Sequence, residues 1–241
     1  MMMSHNKIRV TVWNEYIHER ELPEIASVYP DGIHTVIGDF LSKEEDICVR
    51  YATLDMPQQG VTEELLSDTD VLIWWGHAAH EQLTDENAGR VAAHVQRGMG
   101  FIPLHSAHFC KPLRMLLGTT MTLKWKHGDH EKLYTVSPFH PIAEGIPECF
   151  ELDQEELYGE YFDIPRPDDV VFEGWFAGGA VFRSGVTFTR GNGKIFYFQP
   201  GHEEYPVYYN PLIQKIIVNA VRWARPVCRL SASRDNMEVI I

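Results

Sequence analysis

The run Asp70-Val-Leu-Ile-Trp-Trp-Gly76 (DVLIWWG) is uninterrupted apolar sequence of strand length, the pattern of a strand whose two faces are both covered by helices. Phe101 to Leu104 repeats it. Between the two, Thr84-Asp-Glu-Asn87 opens a capped helix running through Arg97, with Ala88, Val91, Ala92 and Val95 on one face and Gly98 as its stop. Upstream, Ile8 to Trp13 alternates as a first strand and passes into Asn14-Glu15. The turn signal Tyr29-Pro-Asp-Gly32 precedes helical spacing at Ile33, Val36, Ile37, Phe40 and Leu41, and Ile47 to Thr53 reads as the next strand. Strands and helices alternate throughout. The order predicts an α/β fold with a doubly wound, mostly parallel sheet.

After about Thr119 the texture changes to shorter strand-like pieces at Leu133 to Val136, Phe150 to Leu152, Val170 to Trp175, Val181 to Thr189 and Lys194 to Phe198. Arg190-Gly-Asn-Gly193 joins the last two as a hairpin. Pro211 opens a final helix with Leu212, Ile216, Val218, Ala220 and Trp223 largely on one face. No repeat or low-complexity linker interrupts the chain, so residues 1–226 are expected to form one domain. The tail 227–241 ends in apolar Met237-Glu-Val-Ile-Ile241 and is expected to pack on a neighbouring subunit of a homo-oligomer.

The 241 residues include 21 Lys plus Arg against 34 Asp plus Glu, a formal charge of −13. Such a balance argues against a sequence-independent grip on nucleic acid or on an anionic membrane. No signal-peptide pattern and no apolar run near the ~20 residues of a membrane span occurs, so a cytoplasmic location is expected. Cys48, Cys110, Cys149 and Cys228 form no CxxC pair, which points to reduced thiols. Histidine is the unusual component, at 12 residues.

Open parallel sheets bind ligands beyond the carboxyl ends of their strands. Asn14, Glu15 and His18 follow the first strand; His77, His80 and Glu81 follow Trp74-Trp75; His105, Ser106 and His108 follow Leu104; His202-Glu-Glu204 follows Phe198. Imidazoles delivered to one edge from several strands, with carboxylates among them, can bind a divalent metal or move protons near neutral pH. His18, His105 and His202 are the expected metal ligands, zinc being the expected ion. Glu15, His77 and Glu156 are the expected catalytic groups, with Glu81 and Glu203 also near the cluster. Trp13, Trp75, Tyr158 and Arg183 are the expected substrate contacts, Glu156 and Tyr158 sharing one strand face. No HExxH motif is present, no nucleotide cofactor is indicated, and His127-Gly-Asp-His130 reads as a Lys-rich surface loop. Leu104-His-Ser-Ala-His108 lacks the G-x-S-x-G elbow, and Cys110 lies too far past the strand, so covalent catalysis is disfavoured.

Glu151-Leu-Asp-Gln-Glu-Glu-Leu-Tyr-Gly-Glu-Tyr-Phe-Asp-Ile-Pro165, Trp175 to Gly185 (WFAGGAVFRSG), Gly193-Lys-Ile-Phe-Tyr-Phe-Gln-Pro-Gly-His202, Trp13-Asn-Glu15, Gly76-His77 and His105-Ser106 resemble the ThuA-like trehalose utilisation proteins. The resemblance spans about residues 7–226. It implies a class I glutamine amidotransferase-like fold with a flavodoxin-like sheet. It also implies a cytoplasmic role in the catabolism of trehalose, maltose or sucrose, beside a partner oxidoreductase that makes 3-keto sugars. In true class I amidotransferases the elbow carries Cys, whereas here that position holds His105 or Ser106, and His202 falls near the late catalytic His. The expected function is therefore metal-assisted proton transfer on a disaccharide or its 3-keto derivative. The alternatives are a non-catalytic sugar-binding or regulatory subunit of a disaccharide-oxidising system and, third, an amidotransferase or cysteine hydrolase using Cys110.

Overall fold

A computed structural model describes residues 7–227; of the tail, residues 228–241 lie outside the described residues. The first half alternates as expected: β1 (Ile8–Asn14), α1 (His18–Glu21), α2 (Pro23–Val28), α3 (Ile33–Leu41), β2 (Ile47–Thr53), α4 (Glu63–Ser67), β3 (Val71–Trp75), α5 (Asp85–Arg97), β4 (Gly100–Leu104) and α6 (Lys111–Leu117). The second half holds β5 (Lys124–Thr135), β6 (Cys149–Gly159), β7 (Asp169–Phe176), β8 (Val181–Arg190), β9 (Gly193–Phe198) and α7 (Pro211–Ala224).

All nine strands form one sheet in the order β2-β1-β3-β4-β9-β8-β7-β5-β6. The pairs from β2 to β9 are parallel, which is the flavodoxin-like order with β9 as its fifth strand. Beyond β9 the pairs are antiparallel. Strand alternation divides the apolar residues between two cores. Val10, Val12, Val71, Ile73 and Ile102 pack with Ile33 and Ile37 of α3 and Ile213 and Ile216 of α7. Leu72, Trp74 and Phe101 face the other way, onto Ala88, Val91 and Val95 of α5 and Leu113 of α6. Thr84 caps α5 by accepting from the Asn87 N–H at 3.2 Å.

β5 corrects the sequence reading: Lys124-Trp-Lys-His-Gly-Asp-His130 belongs to a strand, not a surface loop, and the strand begins well before Leu133. Its first half is polar because much of it faces solvent, so no apolar alternation advertised it. The antiparallel extension also bends. β6 stands four strands beyond β9, roughly 19 Å away in a flat sheet at ~4.8 Å per strand. Yet the Gln199 side chain just after β9 donates to the Glu156 carbonyl of β6 at 3.2 Å. Register shifts in the β5–β6 and β7–β8 pairs supply the curvature.

Glu131, in the middle of β5, is fully buried. One oxygen accepts from Ser184 Oγ at 3.2 Å, and the other has no hydrogen-bond partner. Burial, with Glu155 adding to it, pushes this carboxyl well above its ordinary 4.5. Above about pH 4.5 the unfolded chain releases a proton that the folded chain keeps. Stability then falls with rising pH, by up to about 1.4 kcal/mol per pH unit for this one group. Glu131→Gln should remove that slope. Its advantage over the parent is expected to be smallest near pH 4.5 and to widen toward pH 8 in urea unfolding; parallel curves would contradict it.

Candidate active site

The strand ends after β1, β3, β4 and β9 carry the imidazoles, and the bent β5–β6 hairpin carries the facing carboxylate. His105 follows β4 at φ 51°, a left-handed turn that costs a non-glycine residue on the order of 1 kcal/mol or more. Its Nδ1–H donates to the Gln199 carbonyl at 2.8 Å, leaving Nε2 to face Glu156 and Tyr158. The loop bearing His202 turns at Gly201, φ 143°, where a Cβ would lie 2.1 Å from the Tyr208 hydroxyl. Glu155 holds this loop. Its carboxylate accepts from the N–H groups of Gly201 at 2.7 Å, His202 at 3.1 Å and its neighbour Glu156 at 2.8 Å.

Among the described residues, two triads of side chains that could hold a metal ion result. In each, the three donor atoms lie within 4.8 Å of one another. The inner triad is His105, Glu156 and His202, all buried. His105 Nε2 is 3.1 Å from Glu156 Oε2, and His202 Nε2 is 3.9 Å from Glu156 Oε1. The outer triad is His18, His77 and Glu203. Glu203 Oε1 accepts from His18 Nδ1 at 2.7 Å and lies 3.5 Å from His77 Nδ1. Its other oxygen is 3.7 Å from His202 Nε2, so Glu203 touches both triads.

Charge follows this geometry. Burial would lower His105, but the Glu156 hydrogen bond and the charges of Glu155, Glu156 and Glu203 raise it to about 9. Burial likewise opposes ionisation of Glu156, yet His105 outweighs it and the net shift is downward. The pair is therefore imidazolium and carboxylate at neutral pH. Burial raises Glu203, but the His18 hydrogen bond and the charges of His77, His202 and His105 bring it down to about 2. His202 is lowered to about 4 by burial and by His105. Since the Glu204 N–H donates to His202 Nδ1 at 3.2 Å, the neutral ring carries its proton on Nε2.

Beside the inner triad lies a cavity of about 400 Å³, within the usual range for small-molecule sites. Glu156, Tyr158, Ser106, His77, Trp125 and His127 are among its walls. Tyr158 stacks on His105, ring centroids 5.0 Å apart, with its hydroxyl 3.4 Å from Nε2. Trp125 leaves its ring 62% exposed at the wall. A larger groove of about 1170 Å³ lies at the opposite sheet end, lined by Arg9, Asp70, Arg222 and Val227. None of the imidazoles reaches it.

The expected ligand set is thus divided: His105 and His202 meet in the inner triad, while His18 joins His77 in the outer one. Glu156 and Tyr158 both reach the cavity. Glu15 does not. Its two oxygens accept from the N–H groups of Ala78 at 2.7 Å and Ala79 at 3.0 Å, which makes it the brace of the loop carrying His77 rather than a proton carrier. Trp13 is buried, stacked on Trp74 at 3.6 Å, with its Nε1–H on the Gln59 carbonyl. Trp75 is also buried and donates to the Gly201 carbonyl at 3.2 Å. Neither indole presents a face to a ligand. Arg183 forms a two-pronged pair with Glu160 and donates to the Phe162 carbonyl, away from the cavity. Glu81 is exposed and pairs with Lys111 and Arg114.

Trp125, His127, Glu155 and the bridging position of Glu203 were not assigned from sequence. Trp125 and His127 sit two residues apart and so share a strand face, a signal hidden by the lysines between and before them. The His127 ring lies 5.4 Å from that of His202.

The family model for ThuA, described as trehalose utilisation, matches residues 9–224. The chain belongs to the ThuA family. No match was found among curated proteins. Among solved structures, one from Parabacteroides merdae described as ThuA-like has a TM-score of 0.68 at 15% identity, covering 93% of each chain. A cytoplasmic protein from Salmonella typhimurium has a TM-score of 0.60 at 16% identity, over 90% of this chain and 99% of that one. A β-galactosidase from Rahnella sp. R3 reaches 0.54 at 14% identity, over 88% of this chain but 31% of its own. At these identities the likeness is one of fold. No helix among the described residues is long and apolar enough to cross a membrane.

In this ThuA-family chain the strained position after β4 belongs to His105. Cys110 is buried at the start of α6, and burial pushes its thiol up to about 12. A thiol in that state is a poor nucleophile. Treatment with iodoacetamide at pH 7.5 is therefore expected to leave Cys110 unmodified in the folded protein, as read by peptide mass spectrometry. Rapid alkylation there would revive the cysteine-hydrolase alternative.

Proposed function

We propose that the cavity takes a disaccharide derivative bearing a keto group and moves a proton between carbon and oxygen of that sugar. The observation that carries this reading is the buried His105–Glu156 pair, 3.1 Å apart, with Glu156 in the cavity wall and His105 behind it. The Glu156 carboxylate takes the proton from the carbon beside the ketone. As that C–H bond breaks, its electrons form the C=C bond of an enediol, and the carbonyl oxygen takes a proton from the cavity-lining Tyr158 hydroxyl, which is reprotonated by His105 Nε2 3.4 Å away. Return of a proton to either carbon regenerates a ketone, and atoms and charge balance. General acid–base groups of this kind contribute about 10²–10⁴-fold. The Trp125 ring offers a flat face for the sugar, and an oxidoreductase acting earlier would supply the keto group.

A divalent ion also fits the inner triad, where the buried His202 Nε2 has no hydrogen-bond partner. His105, Glu156 and His202 would hold it, the ion taking the place of the His105 Nε2 proton as the acid, and His202 would change tautomer, giving up its Glu204 contact. Two imidazoles and a carboxylate suit zinc, the ion carried into the test below, and other first-row divalent ions as well. When bound it supplies Lewis-acid stabilisation of negative charge on the sugar oxygen.

The test is deuterium uptake. In D₂O, the protein should wash deuterium into the position beside the ketone of 3-keto-trehalose, read by proton NMR. Trehalose itself should not exchange. Trp125→Ala is expected to raise Kd about tenfold, the equivalent of one lost stacking contact of about 1.4 kcal/mol. Tight binding without exchange would favour the non-catalytic subunit.

A further inference from the structure

The inner triad does not use the buried groups next to it. Three side-chain atoms that lack a hydrogen-bond partner among the described residues lie along one line of contact: His77 Nδ1, Glu203 Oε2 and His202 Nε2. Buried polar atoms without partners are uncommon, and a bound cation is one way of satisfying them. Glu203 is nearly inaccessible, at 3% exposure, and its two oxygens serve different triads. Oε1 faces His18 and His77; Oε2 faces His202.

Donor atoms around a cation bound at about 2.0–2.2 Å stand roughly 3–3.5 Å apart. The contacts of the outer triad, 2.7 Å to His18 and 3.5 Å to His77, bracket that spacing. A carboxylate that gives one oxygen to each of two ions holds them at the separation of ~3.5–4 Å found in two-metal sites. We propose that the chain binds two divalent cations, the second held by His18, His77 and Glu203, with the Glu203 carboxylate bridging it to the ion of the inner triad. This inference rests on the metal reading of the inner triad given above and extends it. The His18 side chain, 17% exposed, gives the outer ion its route of entry.

Two further observations suit the arrangement. Glu15 braces the loop that carries His77 through two backbone N–H groups, so the outer imidazole is set by the fold. Both ions would border the same cavity, since His77 lines it together with Glu156.

The experiment is a count of ions with a spectroscopic readout. Chelator-treated full-length protein is dialysed against Zn²⁺ for stoichiometry and, separately, titrated with Mn²⁺ and followed by low-temperature EPR. Two equivalents of Zn²⁺ and the multiline signal of an exchange-coupled Mn²⁺ pair are expected. His18→Ala and His77→Ala should each reduce the count from two to one, and Glu203→Gln should abolish the coupled signal. One equivalent in the parent, retained in His18→Ala, overturns the second ion and leaves the inner-triad reading standing. One equivalent lost in His18→Ala but retained in Glu156→Gln also overturns the proposal. No bound ion at all overturns both. The EPR result on the parent does not depend on any variant folding.

Discussion

Glu156→Gln is expected to slow deuterium uptake into the keto sugar by about 10²–10⁴-fold while changing substrate affinity little. Gln keeps an oxygen that can accept from His105, so in metal-free protein the hydrogen-bond geometry survives while the basicity is removed. A second readout separates this from a structural effect. His105 stands at about 9 because burial is outweighed by the Glu156 hydrogen bond and the neighbouring carboxylates. Without the Glu156 charge, the His105 titration midpoint in NMR should move down, toward the ordinary 6.5 and below. The sign has a stability counterpart. A histidine raised in the fold stabilises it fully below its unfolded value, and that contribution is lost as pH rises from about 6.5 to about 9. In Glu156→Gln that loss should shrink. Unchanged exchange in the variant would place the base elsewhere.

The second large effect belongs to a residue that touches no ligand. Glu155→Ala strands three N–H groups, of Glu156, Gly201 and His202, in a buried setting. Each unsatisfied group costs about 1–3 kcal/mol. Relief of the buried carboxylate offsets part of this, so a net loss of about 3 kcal/mol is expected, or roughly 6–12 °C in Tm for a domain of this size. Glu155→Gln keeps a carbonyl acceptor and should lose about half as much. Urea unfolding and thermal melts read both. Because the same carboxylate seats the His202 loop, the alanine variant should also lose the ion proposed for the inner triad, measured by dialysis. A Tm shift under 2 °C would show that water replaces the carboxylate.

The parallel half of the sheet was legible because its strands are covered on both faces, and Val71–Trp75 and Gly100–Leu104 have no polar position to confuse the pattern. Strand-end placement also brought His18, His77, His105 and His202 to one edge. It could not say which pairs meet. That depends on the direction of each side chain, fixed by details such as the positive φ of His105 and the Gln199 carbonyl behind it. Trp13 and Trp75 misled for an ordinary reason: large aromatics near strand ends bury more surface than any ligand would offer them. The first half of β5 was unreadable because it carries exposed Lys124 and Lys126, while its second half was found at Leu133. Glu155 was unreadable because nothing in Gln154-Glu-Glu156 distinguishes a carboxylate that serves the backbone from one that serves a substrate.

The bend of the antiparallel extension has a consequence for how such a cleft can change. Glu156, Tyr158 and Trp125 all ride on the β5–β6 pair, whose strand-to-strand pairing reaches the parallel strands by way of β7 and β8. A shift in the twist of that pair swings acid, hydroxyl and indole together, as fingers on one hand, while His18, His77 and His105 stay fixed to the palm. Divergence in this fold should therefore couple what is recognised to how protons are moved. A graft of β5–β6 from another family member is expected to transfer both properties at once.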